Sequence, residues 1–598
     1  MKSFIKTVIA VMVALFATGV LSFFLVTCSM VALISAADTS EVGKQTQPGN
    51  ILYLKINGPV NEIPASMPFS FDPLGGLSIN EDFSLRGYLQ AIELAKLDDN
   101  IEGIYLNTDG MSASPATYEA LHDALLEVRK SGKWIVAYND NYGLGQYYVA
   151  SVANELYVNK IGQVTFDGMS STIVYPKRLL DKLDIQMQVF RVGSFKSAVE
   201  PYMVEHISEA NRLQTETYLK SIWGTMVKSI SVCRDIPVEK LNALANNAVS
   251  YMQPDELAKT GLVDGQIYKV EVEERLMERT GESELHGISA KALVDGNWNR
   301  FFPASTGDQV AVLYAVGEIS SDAHNKSGED GIYYEDLIKN IRDLEEDDNV
   351  KAVVLRVNSP GGSGFASEQI WKALSDLKSK KPLVVSMGDY AASGGYYISC
   401  LADYIVAEPN TLTGSIGVFG VIPNFGGLAT GKLGVNFEEV KTHQFGSLHT
   451  MRAATPAERT KIQASVEQFY ELFTQRCADG RKIGQDSIKA IAGGRVWTGS
   501  DALQIGLVDA LGSLDDAVSQ AARLANLEDG YSRVTYPAPK SSFQQMMELL
   551  DDTGSDITLR IADKLLGTTP ADRSTLQFIE QLQRADHIQA RSFDAVRF

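Results

Sequence analysis

The chain has 598 residues, too many for one hydrophobic core, so two or more domains are expected. A hydrophobic content of 45% excludes a disordered chain and a many-span membrane protein. A formal net charge of −20 argues against nucleic-acid partners and against a polybasic grip on anionic lipid.

In chain order, Lys2 and Lys6 precede a run from Val8 to Ala37 that carries no charge, and Asp38 closes it. That run exceeds the ~20 residues that cross a bilayer and is longer than the usual apolar core of a cleavable signal. Ser35-Ala36-Ala37 would serve as a cleavage site. Leu25-Val26-Thr27-Cys28 is a weak lipidation site, with Thr where a smaller residue is usual. The preferred expectation is an uncleaved signal anchor over residues 1–37, with the N-terminus cytoplasmic and the body outside. Residues 38–50 are polar and read as a linker.

ILYLKINGPV (51–60) then reads as a strand, SLRGYLQAIELAKLDD (84–99) as a helix and IEGIYLN (101–107) as an apolar strand. A helix at ATYEALHDALLEVRKSG (116–132) and a strand at KWIVAYND (133–140) follow. The second half repeats the alternation from VAVLYAVGEI (310–319) to PLVVSMGD (382–389). Short, nearly all-apolar strands alternating with helices predict an α/β protein whose parallel sheets are covered by helices on both faces. The boundary falls in DGNWNRFFPASTGD (295–308), giving units at 51–300 and 301–540. A helical extension is expected over 541–598, from FQQMMELLDD (543–552) and LQFIEQLQRADHIQ (576–589).

The two units are copies of each other. LDDNIEGIYLNTDG (97–110) recurs as EDDNVKAVVLRVNS (346–359), and AVSYMQPDELAKTGLVDG (248–265) more loosely as RVWTGSDALQIGLVDA (495–510). GQYYVAS (145–151) aligns with GGYYISC (394–400), which sets Ser393 against Leu144. GSFKSAVEP (193–201) carries Lys196, while the matching THQFGSL (442–448) has no lysine. A duplication that divides a serine and a lysine between its halves implies one composite site, that of a serine–lysine hydrolase.

Three segments of the second half converge on that chemistry. NSPGGSGFASEQ (358–369) lies between a strand and a helix, where glycines let backbone N–H groups approach a bound oxygen, though PGG alone is only a turn. MGDYAASGGYYIS (387–399) sets Ser393 among small residues at the start of a helix and leaves the N–H of Gly394 free for an oxyanion; alone, such a serine is an ordinary N-cap. LTGSIGVFG (412–420) holds Ser415 in a small-residue loop. A lysine such as Lys196 usually snorkels to solvent, but a serine nucleophile needs a base, and a buried lysine can serve. None of the seven histidines lies in a recognisable motif; His443 and His449, near the missing lysine, are the alternatives as base. No G-x-S-x-G elbow surrounds Ser393, and no Walker, H-E-x-x-H or dinucleotide motif stands out. The cysteines Cys28, Cys233, Cys400 and Cys477 form no metal-ligand spacing.

With NSPGG, AASGGYYIS, TLTGSIGVFG, GSFKSAVEP and the two GLVD segments together, the chain resembles the signal peptide peptidase A (protease IV) family in its long, internally duplicated, membrane-anchored form, from the anchor to about residue 530. The resemblance implies two tandem domains of the Clp-protease and crotonase-like fold. It also implies Ser393 as nucleophile, Lys196 as general base and Ser415 as the serine that positions the lysine. Gly362 and Gly394 become oxyanion donors, with Gly361 adjacent. The first repeat has Asp109-Gly110-Met111 where PGG would be, and Asp389 is a mild departure of unassigned role. No metal or cofactor is implied. The implied substrates are remnant signal peptides and other apolar peptides. The implied assembly is a homotetramer on the bacterial inner membrane, with its body periplasmic. Two rival readings are a catalytically inactive membrane-anchored scaffold and a crotonase-like acyl-thioester enzyme. The intact residue set argues against the first, and the anchor against the second.

Overall fold

Strands that are apolar on both faces need cover on both faces, and the chain builds that arrangement twice. The computed structural model describes residues 43–64, 69–72, 76–79, 83–303, 307–324, 331–527, 530–537 and 589–591. The expected anchor over 1–37 and nearly all of the extension after 540 lie outside these residues. Among the described residues no helix is long and apolar enough to cross a membrane.

In the first repeat, β1 (Asn50–Lys55), β2 (Ile101–Asn107), β3 (Trp134–Asn139) and β4 (Glu155–Val158) lie side by side. Gly265–Gln266 and Gly287–Ser289 complete a six-stranded sheet at its two edges, and every pairing in it is parallel. Its helices include α1 (Leu85–Leu97), α2 (Pro115–Lys130), the short α3 (Leu144–Ala150) and the long α4 (Glu209–Arg234). The first is started by Ser84, whose hydroxyl accepts from the N–H of Gly87. One further strand, β5 (Gln186–Arg191), leaves this sheet altogether.

The second repeat places β6 (Gln309–Val316), β7 (Val350–Ser359), β9 (Leu383–Ala392), β10 (Tyr404–Ala407) and β11 (Leu412–Gly414) in an eight-stranded sheet. The short strand β8 (Gly361–Ser363) follows β7 but belongs elsewhere. β7 shows why these segments read as continuous apolar runs. Val353, Leu355 and Val357 enter one core, and the alternate residues Ala352 and Val354 enter another on the opposite face. The covering helices include α5 (Gly364–Lys378), α6 (Gly394–Ser399) and α7 (Pro456–Arg481), the last opened by a capping box of Thr455 and Glu458.

The parallel reading holds for both central sheets, with two departures. Val496–Thr498 runs antiparallel to β11 at the sheet edge. More consequentially, a third sheet joins the repeats: Ile332–Tyr333, Ile319–Ser320, β8, β13 (Gln589–Arg591), β12 (Phe419–Asn424) and β5 lie in that order. β5 of the first repeat pairs antiparallel with β12 of the second over six residues, from Gln186↔Asn424 to Arg191↔Phe419. Gln589 ends a segment predicted as helix, yet it begins a strand. Its backbone is taken up by β8, at Ser363, and by β12, at Phe419. Strand edges expose unpaired N–H and C=O groups, and an available segment of chain satisfies them.

Candidate functional site

β5 delivers the lysine. After Arg191 the chain turns at Gly193, whose φ of +94° favours glycine and where a Cβ would lie 2.3 Å from the carbonyl oxygen of Gly493. Phe195 then donates its N–H to that same carbonyl at 3.0 Å. At Gly494 an added Cβ would collide with the backbone of Lys196, 2.6 Å away. The Lys196 segment is therefore laid directly on a Gly493-Gly494 turn of the other repeat. Gln214 on α4 fixes it from behind, donating to the carbonyl of Phe195 and to the hydroxyl of Ser197.

So held, the side chain of Lys196 is 1% exposed and runs past Gly417, where a Cβ would come within 3.3 Å of its Cδ. Nζ lies 2.7 Å from Oγ of Ser393, 3.1 Å from Oγ of Ser415 and 3.1 Å from the carbonyl oxygen of Ser415. The sequence separations are 197 and 219 residues. Three residues singled out from two repeats thus meet at one nitrogen.

Ser393 lies where β9 turns into α6, with φ 56° and ψ −113°. A non-glycine residue rarely adopts this backbone, and such strain persists only when the surroundings impose it. The surroundings here are the N–H of Ser393 bonded to the carbonyl of Gly414, and its carbonyl accepting from Tyr397. α6 also packs so close to the end of β7 that a Cβ at Gly395 would lie 2.6 Å from the carbonyl oxygen of Ser359. As N-cap, Ser393 makes no side-chain capping bond, which leaves its hydroxyl to the lysine. Ser415 is also held at positive φ, 48°, with its N–H bonded to the carbonyl of Arg495.

Gly394 is the first residue of α6, where a helix offers its N–H no partner. Gly362 sits in β8 opposite Ile319, and a Cβ there would lie 2.0 Å from the Ile319 carbonyl oxygen, so only glycine fits. Gly361, adjacent to Gly362, donates its N–H to Oγ of Ser359 and turns the chain at φ +100°. The alternative bases have other partners. His443 contacts Thr442, and His449 pairs with Glu439. Leu144 is a buried first residue of α3, as the repeat register predicts.

Sequence reasoning missed a polar seam between the repeats. Ser114, the N-cap of α2, makes no side-chain capping bond. Asp389 of the other repeat supplies it instead, accepting from the N–H of Thr117 at 2.9 Å and from its hydroxyl at 2.9 and 3.0 Å, while Asn358 donates to it at 3.1 Å. A carboxylate at a helix N-terminus is favoured by the helix dipole. Beside it, Arg356 grips Glu62 with two bonds of 2.9 and 3.1 Å, and Glu119 accepts from the N–H of Asn410 at 2.9 Å. Burial raises the carboxyl pKa of Asp389, with the charge of Glu62 adding to it. Burial and the neighbouring Glu408 raise that of Glu119. Burial also pushes Glu408 up to about 8, against the pull of Arg356. Asp389 lies on β9, four residues before Ser393 at the turn into α6, so the seam anchors the strand that presents the serine. The one available signal was the charge of Asp389 within a run of small residues.

The model of peptidase family S49 matches the chain twice, at residues 127–282 and 375–528. The chain belongs to peptidase family S49. Protease 4 of Salmonella typhi is 39% identical to this S49 chain over 456 residues, 75% of this chain and 73% of that one. Protease 4 of Haemophilus influenzae is 34% identical over 472 residues, 76% of this chain and 75% of that one. The chloroplastic serine protease SPPA of Arabidopsis thaliana is 30% identical over 565 residues, 93% and 79% of the two chains. A ClpP1 variant from Listeria monocytogenes aligns with 35% of this chain and 94% of its own, at 18% identity and a TM-score of 0.24. The S49 chain is thus an α/β serine protease with a duplicated peptidase domain.

Proposed function

We propose that this protease cleaves extended apolar peptides with Ser393 as nucleophile and Lys196 as general base. The observation that carries the reading is the 2.7 Å contact between Lys196 Nζ and Ser393 Oγ inside a buried, strained pocket. Burial disfavours an ammonium, and a base must be neutral to accept a proton. Neutral Lys196 takes the proton of Ser393 as Oγ attacks the peptide carbonyl. The N–H groups of Gly362 and Gly394 receive the oxyanion, worth about 3 kcal/mol per donor in comparable sites. Lys196 then gives the proton to the leaving amine, and water hydrolyses the acyl-enzyme. Ser415, in contact with Nζ through both its hydroxyl and its carbonyl oxygen, holds the amine on the line of attack.

The substrate class follows from the same reading: remnant signal peptides and similar apolar peptides, reached from the membrane face. The uncharged run from Val8 to Ala37 supports an anchor in the bacterial inner membrane with the catalytic body periplasmic. Exposed apolar side chains such as Leu433, Val440 and Phe445 support assembly with further copies, a homotetramer in this proposal. The test is hydrolysis of short apolar peptide esters by the wild type, Ser393→Ala and Lys196→Ala. Loss in both variants is expected. Full activity of Lys196→Ala would move the base elsewhere, and a folded but inactive wild type would favour the scaffold reading.

A further inference from the structure

We infer that Arg495 is a positioning residue for Lys196, its guanidinium clasping the lysine-bearing segment of the first repeat onto the part of the second repeat that presents both serines. This inference rests on the serine–lysine reading above.

The guanidinium lies over two aromatic rings, one from each repeat. Its Cζ stands 4.1 Å from the centre of the Trp497 ring and 5.1 Å from that of Phe195. Both distances fall within the ~6 Å over which an aromatic face attracts a cation. A planar, weakly hydrated guanidinium suits such stacking better than an ammonium does. Phe195 immediately precedes Lys196, so one side chain of the second repeat grips the residue next to the proposed base. The hydrogen bonds from the N–H of Phe195 to Gly493 and from Gln214 to its carbonyl hold only the main chain there. The stack adds a hold on the side chain.

On the other side, the stack is tied to both serines. Trp497 stands opposite Thr413 where Val496–Thr498 pairs with β11, and a Cβ at Gly414, the end of β11, would lie 2.9 Å from the Trp497 ring. The carbonyl of Gly414 accepts from the N–H of Ser393 at 2.9 Å, and the carbonyl of Arg495 itself accepts from the N–H of Ser415 at 2.7 Å. The main chain of Arg495 thus fixes one partner of the lysine, the strand beside it fixes the other, and its side chain reaches across to the lysine's own segment.

No anion accounts for the place of this charge. Nε of Arg495 is buried without a hydrogen-bond partner, and among the described residues its guanidinium enters no ion pair. Arg356 and Arg452, by contrast, each grip a carboxylate. A partly buried cation that forgoes both a carboxylate and a bond to Nε is held by what does touch it, the two rings. Removing the cation loosens the contact between Phe195 and Trp497 while leaving the main-chain bond to Ser415 in place, so the effect falls on the placement of Lys196.

Steady-state hydrolysis of an apolar peptide ester and thermal melting of the full chain test this, with Lys196→Ala measured alongside. A misplacement of about 1 Å costs up to about 100-fold in rate, so Arg495→Met, which keeps the length and loses the charge, should lower kcat by about 10- to 100-fold with KM unchanged. Phe195→Leu, which removes one ring, should do the same. The double variant should be no slower than the slower single one, because both changes remove one contact. Arg495→Lys restores the charge without the plane and should recover part of the lost kcat. A wild-type kcat in Arg495→Met, a rise in KM in place of the fall in kcat, losses that multiply in the double variant, or an Arg495→Lys enzyme no faster than Arg495→Met each overturns the inference and leaves the proposed function standing. If Arg495→Met melts below the assay temperature, Phe195→Leu and Arg495→Lys decide alone: both should show a lowered kcat at unchanged KM, and a wild-type kcat in either overturns the inference. Full activity of Lys196→Ala overturns both readings.

Discussion

At corresponding points of the two repeats, α3 begins with Leu144 and α6 is preceded by Ser393, and the contrast explains how one site came from two domains. Leu144 is a buried helical residue whose preceding Gly143 has ordinary extended geometry. Ser393 sits at φ 56° with its hydroxyl turned to a lysine from the other repeat. Conversely, the first repeat sends out β5 and Lys196, while the second sends out an exposed stretch containing His443 and His449. Each copy keeps the sheet and the helix that follow from its apolar pattern. The chemical groups lie at strand and helix ends, so either copy could lose one without losing its core.

The comparison breaks most sharply at the ends of its range. Ser393→Ala or Lys196→Ala should lower kcat for an apolar peptide ester by about a millionfold, and the double variant by no more, because in the proposed mechanism the two act as one unit. Leu144→Ala should leave kcat unchanged while costing about 2–3 kcal/mol of stability for the core side chain it truncates. Urea unfolding and steady-state kinetics on the same samples check both halves. A loss of kcat in the Leu144 variant at temperatures where it stays folded would mean that the Leu144 position itself still bears on the chemistry.

Ser415→Ala sharpens the picture by removing one of the two Ser415 oxygens that contact Nζ while keeping the carbonyl. Loss of one hydrogen bond to a group that becomes charged predicts a fall in kcat of about 10- to 100-fold with KM little changed. An unchanged kcat would leave the lysine positioned by the Gly493-Gly494 turn and the carbonyl alone.

Across the seam, Asp389→Ala deletes the acceptor for Thr117 and Asn358 and should destabilise the chain by about 2 kcal/mol, read as a lower urea midpoint. Thr117→Ala should cost less, since the N–H of residue 117 still reaches the carboxylate. Equal losses would show that the seam acts through the hydroxyl rather than the helix end.

A pH dependence tests the same seam in a second way. The Glu408 carboxyl ordinarily titrates near 4.5 and in the folded chain is raised to about 8. Below 4.5 both states are protonated and the group adds no dependence. Between 4.5 and about 8 only the folded state keeps the proton, so stability declines as pH rises, and the loss is complete above about 8. Glu408→Gln, which stays neutral, should therefore show a shallower fall in melting temperature from pH 5 to 8 than the wild type. Parallel curves would place the carboxyl in contact with water.

Ser393 and Lys196 were legible because the duplication made their absence in the partner repeat visible, and Ser415 because it lies in a small-residue loop that the family resemblance picks out. The alternation of apolar runs with helical patterns was enough for two parallel sheets. β5 pairing with β12 was not legible: their sequence separation is over two hundred residues, and no periodicity records which distant edge a strand will find. The Arg356–Glu62 pair was hidden for the same reason, each partner being an ordinary charge until the fold buries both. At Gly361 the PGG pattern marks a backbone turn, but the sequence does not reveal that Ser359 occupies its N–H.

The β5–β12 ladder also sets a schedule for biosynthesis. Lys196 is made 197 residues before Ser393, and its segment is seated on Gly493 and Gly494, which are made later still. In the proposed mechanism, a nascent chain bearing a finished first repeat therefore has a base with nothing to activate. On that mechanism peptide-cleaving power arrives in a single late step, when the second repeat closes on the first, and a half-made chain is not a loose protease among the unfolded polypeptides around it.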